Sequence, residues 1–258
     1  MKDWICEIRE GIEAFLRSVG ELTLFFFNIA IYSPRTLVRR PGLVVQQVFN
    51  SGAMSMTIIL TCGLFVGMVL GLQGFDTLQR FGAEEALGTF ATLSLVKELG
   101  PVLTALLFSG RAGTALASEI GLMRATDQLA AMEMMAVDPV RRIVIPRFLG
   151  GVVAMPFLTA IFNMIAIFGA FLVGVTFMGV DQGAFWSQMH ANVTVADVNQ
   201  GVIKSLVFGI VASLLAVYQG YTSVPTAEGV GRATTRTVVT TAITVLILDY
   251  LLTATLIG

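Results

Sequence analysis

Four stretches of this sequence contain no Asp, Glu, Lys or Arg: Pro41–Phe75, Phe148–Val180, Ser205–Ala227 and Thr237–Leu248. An α-helix needs about 20 apolar residues to cross a hydrocarbon core of ~30 Å. The first three stretches meet that length, and the fourth does so if the helix carries through Asp249. A fifth apolar segment, Leu93–Ala117, holds Lys97, Glu98 and Arg111. Lipid offers the backbone no hydrogen bonds, so spanning segments bond internally, and runs dominated by Gly, Met and Leu do so as helices rather than barrel strands. Charged residues are 13% of the 258, about half of the ~25% of a soluble domain. That excludes a disordered chain, a nucleic-acid binder and an ordinary soluble enzyme. The expected fold is an all-α integral membrane protein with five transmembrane helices over residues 41–258.

Residues 1–40 read differently. Trp4, Ile8, Ile12, Phe15 and Val19 recur at helical spacing while Glu7, Arg9, Glu10, Glu13 and Arg17 fill the other face, the pattern of an amphipathic helix lying in the membrane interface. Leu22–Tyr32 is apolar but too short to span, which suggests an elbow ended by Ser33-Pro34; a span starting near Phe15 is the competing reading. The acidic start does not match a cleavable signal. Orientation follows from Lys and Arg. Six precede the first span (Lys2, Arg9, Arg17, Arg35, Arg39, Arg40), four separate spans two and three (Arg124, Arg141, Arg142, Arg147), and Arg232 and Arg236 separate spans four and five. The opposite side has Arg80 alone, and the loop around 175–199 has none. The expectation is a cytoplasmic N-terminus and a periplasmic C-terminus.

Gly63, Gly67 and Gly71 form a small-xxx-small ladder in the first span, as do Ala166, Ala170 and Gly174 in the third and Ala212, Ala216 and Gly220 in the fourth. Small residues let helices approach closely in lipid, within the bundle or between two subunits. Pro101 and Pro156 fall inside spans and suggest bends. Charges within a span are costly and commonly functional. Lys97 and Glu98 lie toward the outer end of the second span, and Lys204 begins the fourth at a similar depth. Two readings stand: lysines snorkelling to the interface with Glu98 partnering one of them, or a partly wet cavity in which Lys97 and Lys204 attract an anionic headgroup tuned by Glu98. Gln73 and Phe81, at the outer end of the first span, are candidates for the same mouth. Arg111 lies about 21 Å farther along the helix and reads as a structural anchor near the inner side. Asp249 has no assigned partner.

The chain has one histidine, His190, and two cysteines, Cys6 and Cys62, too few for a zinc site. No G-x-S-x-G elbow and no Gly-Lys dipeptide occur, so neither a serine nucleophile nor a phosphate-binding loop of the usual type is present. The chain is expected to be non-catalytic. Between spans two and three, Thr126 or Asp127 can cap a short helix, Gln128–Ala136 are good helix formers, and Asp138-Pro139 stops it. Met123, Met132, Met134 and Met135 sit there with Leu129 and Glu133. Such methionines pack on the protein's own inner surface or dock into a partner's groove.

The run VKELGPVLTALLFSGRAGTALASEIGLMRATDQLAAMEMMAVDPVRRIVIPR, Val96–Arg147, and the later YTSVPTAEGVGRATTRTVV, Tyr221–Val239, resemble the MlaE/YrbE permeases, membrane subunits of ABC-type lipid transporters. The resemblance covers nearly the whole chain. It implies a homodimer of five-span subunits in the inner membrane with N-terminal interfacial helices and a cytoplasmic coupling helix at about 120–137. An ABC ATPase would hold ATP and Mg and grip Thr126, Asp127, Leu129, Met132, Glu133, Met134 and Met135, leaving no cofactor in this chain. It further implies a periplasmic MCE-domain hexamer, a STAS-domain protein on the ATPase, and phospholipid moved between inner and outer membranes to keep outer-membrane asymmetry. The family's lipid pocket, at the outer end of the dimer interface, maps to Glu98, Lys97 and Lys204. The alternative is a secondary transporter or ion channel using Lys97, Glu98 and Asp249 as a relay, which would need no ATPase.

Overall fold

A computed structural model describes residues 20–33 and 41–257. The amphipathic pattern at Trp4–Val19, the competing span from Phe15, and Arg35, Arg39 and Arg40 lie outside the described residues. Every regular element among those described is helical. In chain order they are α1 (residues 20–33), α2 (Pro41–Gln79), α3 (Glu84–Ala125), α4 (Gln128–Met134), α5 (Val140–Phe177), α6 (Gln182–Asn192), α7 (Val195–Thr222) and α8 (Ala227–Ile257). Five of them, α2, α3, α5, α7 and α8, are long and apolar enough to cross a membrane. This is a multi-pass membrane protein.

The helices outrun the charge-free stretches that announce them. α3 begins at Glu84 rather than Leu93, and α5 takes in Arg141, Arg142 and Arg147. Absence of charge marks the part of a helix that lipid surrounds, and helical bonding continues past it into the polar zone. The largest shift is at α7. It starts at Val195, so Lys204 does not begin the span but stands roughly 14 Å along it at 1.5 Å per residue.

Close backbone contact joins α2 to α5. A Cβ at Gly63 would lie 3.2 Å from the Phe162 carbonyl oxygen, one at Gly71 would lie 3.0 Å from the Ala170 Cα, and one at Gly67 would fall on the Ala166 carbonyl. Two of the small-residue ladders are thus each other's partners, and they serve packing inside the bundle. In the third, Ala212 and Ala216 are fully buried and Gly220 faces Ala117 on α3. α7 is the core helix, with 61% of its apolar window buried against 22% for α2 and 17% for α8. The latter two therefore keep a broad apolar flank outward.

Proline leaves its mark on α3. Pro101 has no N–H to give the preceding turn, and the residues before it, Leu95–Leu99, form a π turn in which the Gly100 N–H reaches the Leu95 carbonyl. A second π turn spans Ser109–Gly113. Pro156, by contrast, sits within the unbroken helix Ile145–Phe171. At one end of the bundle the stretch expected as a loop contains α6. The Asp181 carboxylate accepts the Ala184 N–H at 2.7 Å, and buried Phe185 packs edge-on against Phe171 at 5.5 Å. His190 lies on this helix.

At the other end α1 and α4 share one core. Ile29 and Leu129 are buried with Ile120, Val144, Ile145 and Val217. The Phe25 ring stands 5.6 Å from Tyr218 and 5.7 Å from Tyr221, and the Arg141 guanidinium lies 3.7 Å over the Tyr32 ring. The described part of α1, residues 20–33, is by itself shorter than the roughly 20 residues a crossing requires.

The α2–α5 contact gives a direct test. Gly67→Val should destabilise the fold by about 1–3 kcal/mol, read as a lower melting temperature in detergent. Gly52→Ala, where an added Cβ meets nothing within 4 Å, should leave it nearly unchanged.

Candidate functional site

Lys204 is 2% exposed, deep enough that its ammonium needs partners from protein. The Nζ donates to Glu98 Oε2 at 2.7 Å, Thr253 Oγ1 at 2.7 Å and Asp249 Oδ1 at 3.1 Å. An ammonium has three protons to give, and all three are taken. The Thr253 hydroxyl in turn donates to Glu98 Oε2 at 3.2 Å. Three helices meet here: α3 supplies Glu98 from its π turn, α7 the lysine, and α8 Asp249 and Thr253 one turn apart. Glu98 is 38% exposed and Asp249 22%, so the acids face outward from a covered cation.

Lys97 does not join this cluster. Its Nζ donates to Asp197 Oδ1 at 2.8 Å. Asp197 is held by the first turn of α7, where Thr194 Oγ1 accepts the Asp197 N–H and Asp197 Oδ2 accepts the Thr194 N–H at 2.8 Å, a reciprocal capping box. Both lysines therefore meet carboxylates of their own chain. Two cations stand against Glu98, Asp197 and Asp249, which leaves one carboxylate in excess, so the site offers a ligand acceptor oxygens and little unneutralised positive charge.

Beside Glu98, Leu99 closes one side of a groove of about 350 Å³ between α2 and α3, otherwise lined by Phe65, Val66, Val69, Leu70 and Gln73. Gln73 is its most polar wall. Phe81 is 79% exposed in the turn that follows α2 and does not line the groove. Among the described residues no group of three or more His, Cys, Asp or Glu side chains gathers to hold a metal ion.

At the opposite end, α4 is shorter than its helix-forming residues suggest. Neither expected cap makes a side-chain capping bond. Asp127 takes a left-handed conformation, φ 56°, and Thr126 Oγ1 donates back to the Leu122 carbonyl at 2.9 Å. The helix ends before Asp138-Pro139, with Ala136 left-handed at φ 57°. There the Ala136 N–H bonds to the Glu133 carbonyl and the Val137 N–H to that of Met132, the closing pattern of a Schellman motif. The methionines divide. Met132 and Met123 pack with buried Leu129 in the core shared with α1, while Met134 is 89% and Met135 67% exposed. Glu133 lines a hollow of about 300 Å³ with Arg124, Asp127, Leu129, Ala130, Tyr221 and Pro225.

Sequence reasoning brings Lys97, Glu98 and Lys204 to one depth and offers Glu98 as partner to one of the lysines, which the structure shows to be Lys204; it leaves Asp197 and Thr253 unnamed. The T-x-x-D pattern at Thr194–Asp197 marks a helix start and was the available signal for Asp197. The i, i+4 spacing of Asp249 and Thr253 marks one helix face. Replacing Lys204 alone by Met should cost about 2–3 kcal/mol, less than the roughly 3–5 of a fully buried pair because both acids are only partly buried. Adding Glu98→Gln and Asp249→Asn should recover most of the loss, measured as thermal unfolding of purified protein.

A family model described as Permease MlaE matches residues 44–255. The chain is 48% identical over 257 residues to the intermembrane phospholipid transport system permease protein MlaE of Haemophilus influenzae, covering 99% of this chain and 98% of that protein. It is 38% identical over 242 residues to a probable ABC transporter permease protein of Rickettsia prowazekii, covering 93% and 92%. With its five apolar spans and the paired charges between them, the chain belongs to the MlaE permease family.

Proposed function

We propose that this chain is the membrane subunit of an ABC-type transporter that moves phospholipid between the inner and outer membranes and so maintains outer-membrane lipid asymmetry. The observation that carries the reading is the Lys204–Glu98–Asp249 cluster, set beside an apolar groove within a family whose Haemophilus influenzae member is an intermembrane phospholipid transport permease. A phospholipid has a polar head and apolar tails, and this face presents acceptor oxygens next to Phe65, Val69 and Leu70. Glu98 and Lys97 hold the head, Lys204 fixes Glu98, and Gln73 lines the adjoining groove, with Phe81 outside it.

A second copy of the chain covers the apolar flank of α8, where Val239, Ile243, Leu246, Ile247 and Tyr250 are exposed. The α4 end faces the cytoplasm and the α6 end the periplasm, in accord with twelve Lys and Arg toward the first end of the apolar stretches and Arg80 alone at the other. ATP and Mg are bound by a separate ATPase that seats α4 through Met134 and Met135, with Glu133 at the rim. An MCE-domain hexamer receives lipid at the α6 end, and a STAS-domain protein binds the ATPase. ATP binding draws the two α4 helices together and closes the lipid site. A relay through Lys97, Glu98 and Asp249 without an ATPase has less support, because Lys97 and Glu98 point to different partners.

Two measurements check this. In proteoliposomes holding the full assembly, Glu98→Ala and Lys97→Glu should each lower phospholipid transfer about tenfold or more while the subunits still co-purify; normal transfer in both rejects the site. Met134→Glu with Met135→Glu places charge in the apolar contact and should abolish co-purification of the ATPase while leaving the melting temperature of the permease unchanged, since both side chains are exposed.

A further inference from the structure

The face on which α2 and α3 lie side by side changes character along its length. Toward α6 it is the apolar groove of Phe65, Val69, Leu70 and Leu99. Toward α4 the two helices enclose a polar slot of about 70 Å³ lined by Gln47, Asn50, Ser51 and Ser55 of α2 and by Arg111 and Glu119 of α3. Arg111 stands on the second π turn, Ser109–Gly113. Its Nη2 reaches only the Met54 Sδ, at 3.4 Å, a weak and uncharged acceptor. Among the described residues no carboxylate lies within ion-pair distance of it. Glu119, the acid of the same slot, is held by Arg147 at 3.2 Å. The sequence suggests an anchor at Arg111, yet the structure offers this guanidinium nothing to anchor to, in contrast to the three-way satisfaction of Lys204.

Arg111 lies about 20 Å along α3 from Glu98 at 1.5 Å per residue, so the two charged stations stand toward opposite margins of a ~30 Å core. From Met54 to Phe65 along α2 is about 17 Å, close to the ~15 Å that one leaflet contributes to that core. Guanidinium presents a planar fork of donors that matches a phosphate bidentately, and the Gln47 and Asn50 amides add donors beside it. We propose that the Arg111 slot binds the phosphodiester of a phospholipid in the leaflet at the α4 end, its tails laid along α2 and α3 toward Phe65, Val69 and Leu70. The chemistry recognised is a phosphate oxyanion, and the separate apolar groove farther along the same two helices favours a lipid over a free ion. This deepens the transport reading, on which its role as a second lipid station rests; binding itself stands apart.

Photo-crosslinking tests it. The full-length chain is placed in nanodiscs of phosphatidylethanolamine and phosphatidylglycerol, doped with phosphatidylethanolamine or diacylglycerol that carries a diazirine in the tail. The phospholipid probe should label α2 between Met54 and Val69 in the wild type and in Arg111→Lys. In Arg111→Gln that labelling should fall about tenfold, the loss of one charge-assisted contact. The diacylglycerol probe, which lacks the phosphate, should label no better than Arg111→Gln does. Unchanged labelling in Arg111→Gln, or equal labelling by the two probes, overturns the proposal. Displacement by excess inorganic phosphate assigns the slot to a free anion, and loss of dimer in Arg111→Gln assigns it to the second copy; either also overturns it. Should Arg111→Gln not fold, Asn50→Leu, at an exposed position, obstructs the slot with its charge intact and should lower labelling likewise; unchanged labelling rejects the proposal. Labelling needs neither ATP nor partner chains. Its failure in a chain whose assembly still transfers phospholipid rejects the slot alone, and a labelled slot in an assembly that transfers none rejects the transport reading alone.

Discussion

A lysine ammonium enclosed in an apolar bundle is the constraint around which α3, α7 and α8 are arranged. Removing such a charge from water is tolerable only where every proton finds an acceptor and the charge finds a counter-charge. Lys204 receives both from two other helices, and that fixes how far along their axes and at what rotation the three meet. The π turn at Leu95–Leu99 belongs to the same solution. It precedes Pro101 and carries both Lys97 and Glu98, whose side chains, as neighbours on a helix, diverge. Two adjacent residues thereby serve two separate partners on α7, Asp197 near its start and Lys204 deeper in.

The α2–α5 pair supplies the complementary rigidity without charge. Glycines brought against the Phe162, Ala166 and Ala170 backbone remove any space for side chains, so this seam slides only at steric cost. α7 is the most enclosed span, while α2, α5 and α8 each keep exposed apolar side chains, among them Phe65, Phe157, Met164 and Ile247. An ionic core and a tight glycine seam hold the helices in register, and the exposed apolar flanks are left to lipid.

Much of this was legible in the sequence. Four charge-free runs and one apolar segment with three charges located five spans because lipid disfavours charge, and spacing alone identified the ladders that pack. Helix ends were not legible, since helical bonding continues beyond the lipid: α3 reaches back to Glu84 and α7 to Val195. The helix α6 was missed because Phe185 and Trp186 are too few to give a periodic signal. The lysines stood out as charges in apolar surroundings, but their partners lie about 50 to 100 residues away in the chain, as with Lys97 and Asp197 or Lys204 and Asp249, and only tertiary packing brings them together. At α4 the composition favoured a longer helix, and Ala136 overrode it by entering a left-handed conformation that closes the last turn.

The common core of α1 and α4 has a mechanical consequence. Ile29 and Leu129 are interior to the same cluster, Arg141 clasps Tyr32, and Tyr221 touches Phe25 while its carbonyl accepts Arg124. A displacement of α4 is therefore passed to α1 through their common interior, and neither helix can shift without disturbing the other.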